Sequence, residues 1–415
     1  LISGIDSTVT VQGNFDKESL LYHNFSNIHF RRTGPLTHPL ESRLQNELDQ
    51  RKKTGLLRTL EVLDACKINL IGNDYFQLRS HPEVIAGARD ALERYGASSS
   101  ASPLLSGFLP CHQNLVEQLK AWKQKSSGLL FNTGFMANQA VLTHLPGPRD
   151  LILADRLIHH SIAQVLGKGE TRFKRYPHLD LDQLEELLEQ NINAYETVFV
   201  VTESVFSMDG DYPDLPRMAV LKQKYPFVWI LDEAHGTGVF GPTGGGLAEE
   251  QGVLSEVDIL VGTLGKALAS MGAYVLTHSE TLIDYLINYS GEFIYSTYLS
   301  PPQAGAAEAA LKIIQKSQAT ARNIRAAAYR FRERLEQDGW QTNDFDSQIV
   351  PVIVGDPKEA LELRNKLLEH GILAGAVRPP TVPQNSSRLR FSFHSGIGED
   401  QVDAIMTIMN AWKQK

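Results

Sequence analysis

Asp-Glu-Ala-His-Gly-Thr-Gly, residues 232–238, follows directly on the apolar run Phe-Val-Trp-Ile-Leu at 227–231. A carboxylate therefore stands where a strand-like segment gives way to a glycine-bearing loop. The next apolar run, Asp258 to Gly262, ends in Gly262-Thr263-Leu264-Gly265-Lys266. Upstream, Thr197 to Val201 is another short run rich in β-branched residues. Amphipathic helical patterns separate such runs from about residue 80 to 300, which is the rhythm of βαβ units. The expected fold class is α/β, with a mostly parallel sheet covered by helices on both faces. In such sheets ligands gather at the carboxyl ends of the strands, where Asp232 and Lys266 both fall.

Taken singly, Asp232 also reads as an acid capping a turn, and Lys266 more often as a surface lysine. Their pairing points further. A lysine at a strand end among small residues is open to desolvation, which lowers its pKa and makes the amine a competent Schiff-base nucleophile. Pyridoxal 5'-phosphate needs such a lysine for its aldehyde and a carboxylate for its pyridine nitrogen. Its phosphate needs backbone N–H groups at a helix start. Asn132-Thr133-Gly134-Phe135-Met136-Ala137-Asn138, leading into an apolar helical pattern, supplies one, and Thr263 adds a hydroxyl. His112, in Pro-Cys-His-Gln-Asn-Leu, precedes a helix and is positioned to stack on the ring; a satisfied structural histidine is the competing reading. His159 and His160 form a similar pair after Ala-Asp-Arg. No histidine pair at helical spacing accompanies a carboxylate, so no metal is expected.

The 415 residues carry 40 basic and 48 acidic side chains, for a net charge of -8, and 42% are hydrophobic. That balance offers no basic surface for nucleic acid. No apolar stretch reaches the roughly 18 residues needed to span a bilayer. The opening Leu-Ile-Ser-Gly-Ile-Asp has no basic region followed by an apolar one, so a cytoplasmic location is expected. Cys66 and Cys111 are too few for a disulfide framework and read as buried small hydrophobes. The expected organisation is an N-terminal extension at 1–40, a helical segment and small-domain strand at 41–80, a large domain at 81–310 and a C-terminal α+β domain at 311–415. The helical pattern from Pro39 runs to Leu63, interrupted by Gly55 before Arg58, and another from Ala304 to Asp338 reads as one long helix.

Gly-Asn-Asp-Tyr-Phe-Gln-Leu at 72–78, Leu-Phe-Asn-Thr-Gly-Phe-Met-Ala-Asn at 130–138, Thr-Glu-Ser-Val-Phe-Ser-Met-Asp-Gly-Asp at 202–211 and the Asp232 and Lys266 loops together resemble the α-oxoamine synthases. The likeness covers about residues 45 to 415. It implies a fold-type I pyridoxal-phosphate transferase, aspartate-aminotransferase-like, that condenses an amino acid with an acyl thioester and releases carbon dioxide. Ile-Tyr-Ser-Thr at 294–297 and Val-Arg-Pro-Pro-Thr-Val-Pro at 377–383 look most like the branch using alanine and a pimeloyl thioester, on coenzyme A or a carrier protein.

By matched motif, the resemblance implies that Lys266 anchors the cofactor, Asp232 pairs with the ring nitrogen, His235 meets the phenolic oxygen and His112 stacks on the ring. It makes Thr133, Gly134, Phe135, Ser207 and Thr263 cofactor contacts, with Ser296 and Thr297 reaching in from the second subunit of a homodimer. Arg390 and Asn73 would hold the amino acid's carboxylate, and Arg58 a carboxylate at the far end of the acyl group. Glu203 and His159 would line the site. Gly96 to Pro103 departs from the family's glycine-rich stretch and lacks its arginine, which bears on the acyl partner. Other oxoamine synthases using glycine or serine, an aminotransferase, and a non-catalytic homologue are the rival readings.

Overall fold

The computed structural model describes residues 39–62 and 68–414; the expected extension up to residue 38, and Cys66, lie outside them. Two units pack separately, residues 1–53 and 54–415. Of the first, the helix Pro39–Lys53 is described, and none of its side chains is buried. It ends just before the expected interruption at Gly55, whose φ of 71° turns the chain out of helical geometry.

The second unit contains strands β1 (Ile68–Asn69), β2 (Ser127–Phe131), β3 (Leu151–Asp155), β4 (Arg172–Tyr176), β5 (Val198–Glu203), β6 (Val228–Asp232), β7 (Ile259–Thr263), β8 (Ala273–Thr277), β9 (Ile349–Gly355), β10 (Ile372–Leu373), β11 (Gly375–Val377) and β12 (Ser387–Ser392). Seven of them form the central sheet in the order β2-β8-β7-β6-β5-β3-β4, parallel except for β8. β3, β5 and β8 are buried at every position, as a sheet covered on both faces requires. β4 at the edge exposes Arg172, Phe173, Lys174 and Arg175, charges that discourage pairing with another chain. The α/β class and the mostly parallel sheet read from the sequence are both found.

Because β5, β6 and β7 run the same way, their carboxyl ends share one edge. Register places Glu203 opposite Asp232 and Asp232 opposite Val261. Lys266 follows β7 within one turn of the same edge. A second, antiparallel sheet, β11-β12-β9, lies beyond a connection made of two helices, Pro301–Ile314 and Gln318–Gln337, rather than the single expected one. The break at 315–317 is held by the Ser317 hydroxyl, which bonds back to the Ile313 carbonyl at 2.7 Å, and by Gln318, whose amide reaches the Gln315 carbonyl.

The two sheets meet through the loop 204–211. Gly210, at φ 71°, lies so close to β9 that a Cβ there would fall 2.2 Å from the Ile349 carbonyl oxygen. Asp209 pairs with Arg388 of β12, and Arg390 Nε donates to the Ser207 carbonyl at 2.5 Å. His178 ties the far end of the loop down, its two ring nitrogens 2.8 and 2.9 Å from Asp155 and Asp211. Burial opposes the imidazolium charge, but the two carboxylates outweigh it and raise the histidine to about 10.

Candidate active site

Lys266 sits in a tight loop closed by the Ala269 N–H on its own carbonyl and the Leu264 N–H on Gly272. Leu264, Ala267 and Leu268 around it are buried, so its amine emerges from apolar packing at the sheet edge. Desolvation lowers this lysine to about 8, against the pull of Asp232 and Glu203 and with the repulsion of Arg390. Its Nζ lies 2.7 Å from His235 Nε2, and His235 Nδ1 lies 2.7 Å from the Tyr75 hydroxyl. Burial, then the cations Lys266 and Arg390, holds His235 well below its usual value, so the ring is neutral. Either tautomer completes the chain Tyr75–His235–Lys266.

A second chain fixes the carboxylate. Asp232 Oδ2 accepts from Asn138 Nδ2 at 2.8 Å, and its Oδ1 accepts the Ala234 N–H at 3.0 Å. The same Asn138 amide donates to Ser161 Oγ at 3.0 Å, and that hydroxyl lies 2.7 Å from His159 Nδ1. Beside Asp232, burial and then its neighbour's charge push Glu203 well above the usual carboxylate range. Glu203 Oε1 is buried without a hydrogen-bond partner among the described residues.

The helix Gly134–His144 begins next to these groups. Thr133 caps it, its hydroxyl accepting the Met136 N–H at 3.1 Å. The first N–H groups, on Gly134 and Phe135, have no acceptor within the helix and favour an anion. A Cβ on Gly134 would lie 4.0 Å from the Thr263 Cβ, so the helix start and the loop after β7 converge on one spot. A depressed lysine, a carboxylate in hydrogen-bonded register, and a helix N-terminus beside a threonine are the donor set that pyridoxal phosphate requires, and the residues fit it.

Arg390 is buried on the second sheet's side of the site. Its guanidinium bonds the Ser207 carbonyl, Ser392 Oγ at 2.7 Å, Asn73 Oδ1 at 3.1 Å and, weakly, the Ile71 carbonyl at 3.5 Å. All of these acceptors are neutral. Burial lowers this arginine below its usual value, with Tyr75 opposing the shift. A buried cation without a carboxylate partner among the described residues is costly unless an anion joins it.

A cavity of about 680 Å³ includes Arg58, Arg156, His159, His160, Arg175, Ser207 and the Pro380–Pro383 turn in its lining. Arg58 Nη2 donates to Thr381 Oγ1 at 3.0 Å. It lies beyond the end of its helix, not on it.

The structure thus brings Lys266, Asp232, His235, Asn73 and Arg390 together, with Glu203 beside Asp232, and gathers Arg58, His159 and Ser207 around one cavity. His112 does not join them. It is fully buried in the first turn of the helix Pro110–Trp122, where Nδ1 accepts the Leu109 N–H at 2.9 Å and Nε2 meets the Leu299 carbonyl at 2.7 Å. Phe108 and Tyr298 cover its ring, so no face is open to a cofactor. The expectation that His112 stacks on the ring is therefore corrected, and the competing structural reading holds. His159 is open to the cavity and linked through Ser161 and Asn138 to Asp232. Desolvation lowers its ring below the usual value.

Thr297 is exposed, and its carbonyl accepts from Asn132 Nδ2 at 2.6 Å; Ser296 is half-buried. Pro103, from the departing glycine-poor stretch, lines a different cavity of about 560 Å³ with Leu104, Phe108 and Tyr298. Cys111 is buried, as expected. Asn138, Ser161, Tyr75 and Gln348 had no role assigned from sequence. Asn138 had a visible signal: a polar residue on the inward face of an apolar helix. Gln348, whose amide donates to the His235 carbonyl at 2.8 Å, had none. Among the described residues there is no cluster of metal-ligating side chains, and no helix is long and apolar enough to cross a membrane.

A family model described as aminotransferase class I and II matches residues 65–408. The 8-amino-7-oxononanoate synthase of Geobacter sulfurreducens is 37% identical over 379 residues, covering 88% of this chain and 96% of that protein. The putative 8-amino-7-oxononanoate synthase of Geobacillus kaustophilus is 39% identical over 366 residues, covering 86% and 93%. Among solved structures, the 8-amino-7-oxononanoate synthase of Francisella tularensis superimposes with a TM-score of 0.72 at 27% identity, over 84% of this chain and 98% of that one. A serine palmitoyltransferase of S. paucimobilis shares the fold, with a TM-score of 0.84 at 24% identity over 91% and 98%.

Proposed function

This chain belongs to the α-oxoamine synthases, pyridoxal-phosphate enzymes of the class I and II aminotransferase family, and we propose that it joins L-alanine to a pimeloyl thioester, on coenzyme A or a carrier protein. The products of that reaction are 8-amino-7-oxononanoate, carbon dioxide and the free thiol, a step of biotin biosynthesis, and the relatives named 8-amino-7-oxononanoate synthase support the reading. The observation that carries the reading is Arg390, a buried guanidinium bonded only to neutral acceptors beside Lys266 and Asp232. It is a receptor for a carboxylate next to an amine-handling lysine.

When bound, pyridoxal phosphate supplies an aldehyde for the amine and a protonated ring that accepts electrons released at the α-carbon. Lys266 would hold the aldehyde through its amine. Its neutral amine then takes the α-proton and returns one after carbon dioxide has left. Asp232, fixed by Asn138, keeps the ring nitrogen protonated. His235, held neutral and oriented by Tyr75, donates to the phenolic oxygen or to Lys266. Thr133, Gly134, Phe135 and Thr263 hold the phosphate, and His159 takes the place beside the ring. Arg390 and Asn73 would hold and orient the amino acid's carboxylate. Arg58 and Thr381 meet the far carboxylate of the acyl chain. Exposed Thr297 and half-buried Ser296 complete a partner's phosphate site in a homodimer.

Cofactor-loaded protein should be assayed with alanine, glycine and serine against several acyl thioesters, measuring carbon dioxide and product. Thioester-dependent release with alanine and pimeloyl preferred is the expected result. Preference for glycine or serine overturns the substrate assignment, and an oxo acid formed without carbon dioxide overturns the reaction.

A further inference from the structure

The cavity beside His159 has an electrostatic character that the chemistry at Lys266 does not use. Its lining carries Arg58, Arg156 and Arg175 against one carboxylate, Asp209, which Arg388 already neutralises. The chain as a whole carries a net charge of -8, so this is a local concentration of positive charge on an acidic protein. Arg58 is engaged by Thr381. Arg156 and Arg175 are different: both are exposed, and neither guanidinium has an acid or other acceptor among the described residues.

The backbone holds the two side by side. Arg175 pairs in register with Ala154, two residues before Arg156, and the Arg156 N–H donates to the Tyr176 carbonyl at 3.0 Å, so the two arginines lie diagonally across β4 and the end of β3. Asp155, immediately before Arg156, is clamped by His178 and by the N–H groups of Leu157 and Leu179 at 2.8 and 2.9 Å. Two cations are thus presented from fixed backbone to a space that opens onto His159. Paired arginines of this kind accept planar or tetrahedral oxyanions through forked hydrogen bonds.

From this placement we infer that Arg156 and Arg175 form a subsite for an anionic terminus of the acyl donor, distinct from the Arg390 carboxylate site and sharing the cavity that Arg58 lines. The inference rests on the proposed reaction with an acyl thioester. A carboxylate at the end of the acyl chain and a phosphate on the thioester carrier share the chemistry the pair recognises.

The test uses cofactor-loaded enzyme saturated with alanine and compares wild type with the R156M/R175M double variant. The donors are pimeloyl and heptanoyl groups, each carried on coenzyme A and on N-acetylcysteamine, which has no phosphate. The double variant should raise the KM of the recognised donor on the order of 100-fold. Its KM for alanine, its cofactor absorbance and its use of heptanoyl-N-acetylcysteamine should not change. A loss that follows pimeloyl on both carriers assigns the subsite to the chain-end carboxylate, and one that follows coenzyme A with both chains assigns it to the carrier phosphate. An equal loss on the neutral donor, or variant kinetics indistinguishable from wild type on every donor, overturns the inference while leaving the reaction intact. Wild-type enzyme that releases no carbon dioxide with any donor overturns both.

Discussion

Two lysines at opposite ends of β7 are both pushed down to about 8 by burial, and only one of them faces reactive groups. Lys125 lies just before β2, at the amino end of the sheet, where its Nζ donates to the Leu254 and Val257 carbonyls at 2.8 and 2.6 Å. Lys266 lies beyond the carboxyl end, against His235, with Asp232, Glu203 and Arg390 in electrostatic reach. The first amine is spent on carbonyls that close the bottom of the sheet. The second meets a neutral imidazole and is free to exchange its partner. A depressed pKa therefore does not mark a nucleophile by itself; the end of the sheet on which the lysine stands does.

Substitution should separate the two ends most sharply. Lys266→Ala is expected to cut thioester-dependent carbon dioxide release by at least about 10⁴-fold, because anchor and base are lost together. Lys125→Met should leave turnover per folded molecule near wild type and cost about 1–3 kcal/mol of stability in denaturant titration, the price of two buried carbonyls without a donor. Loss of activity in the second variant at unchanged stability would erase the distinction.

Next in size is Arg390→Met, expected to raise the amino acid's KM roughly 100-fold while leaving the thioester's KM unchanged. Equal rises for both substrates would mean that Arg390 supports the fold rather than the carboxylate. The pH dependence sharpens the comparison further. At pH 7 about a tenth of an amine with a pKa near 8 is uncharged, against roughly one part in three thousand for an ordinary lysine. The rate of cofactor attachment to apoprotein should rise about tenfold per pH unit below 8 and level off above it. Continued rise through pH 10 would show an unperturbed amine.

The smallest expected effect on catalysis belongs to His112→Ala. It removes the partners of the Leu109 N–H and the Leu299 carbonyl and should cost about 1–3 kcal/mol of stability, with the cofactor spectrum unchanged. A shifted spectrum at full stability would return His112 to the site.

Asp232 and Lys266 were legible in the sequence because each directly follows an apolar run, and a parallel sheet brings consecutive strand ends to one edge. The choice between His112 and His159 was not. Both stand at a helix start, and what separates them is burial against Leu299, 187 residues further along the chain from His112. Arg156 and Arg175 read as ordinary surface charges until β3 and β4 pair. The cavity they share with Arg58 and the Pro380–Pro383 turn exists only after distant segments meet. The break at 315–317 escaped the helical pattern because side chains bonding back to carbonyls leave the apolar period almost undisturbed.

The most direct test of Lys266 as the cofactor's anchor is borohydride reduction of the loaded enzyme followed by peptide mapping of the trapped lysine. The expected result is pyridoxyl label on Lys266 alone, with Lys125 and the buried Lys123 unlabelled. Label on either of those lysines, or none on Lys266, would contradict it.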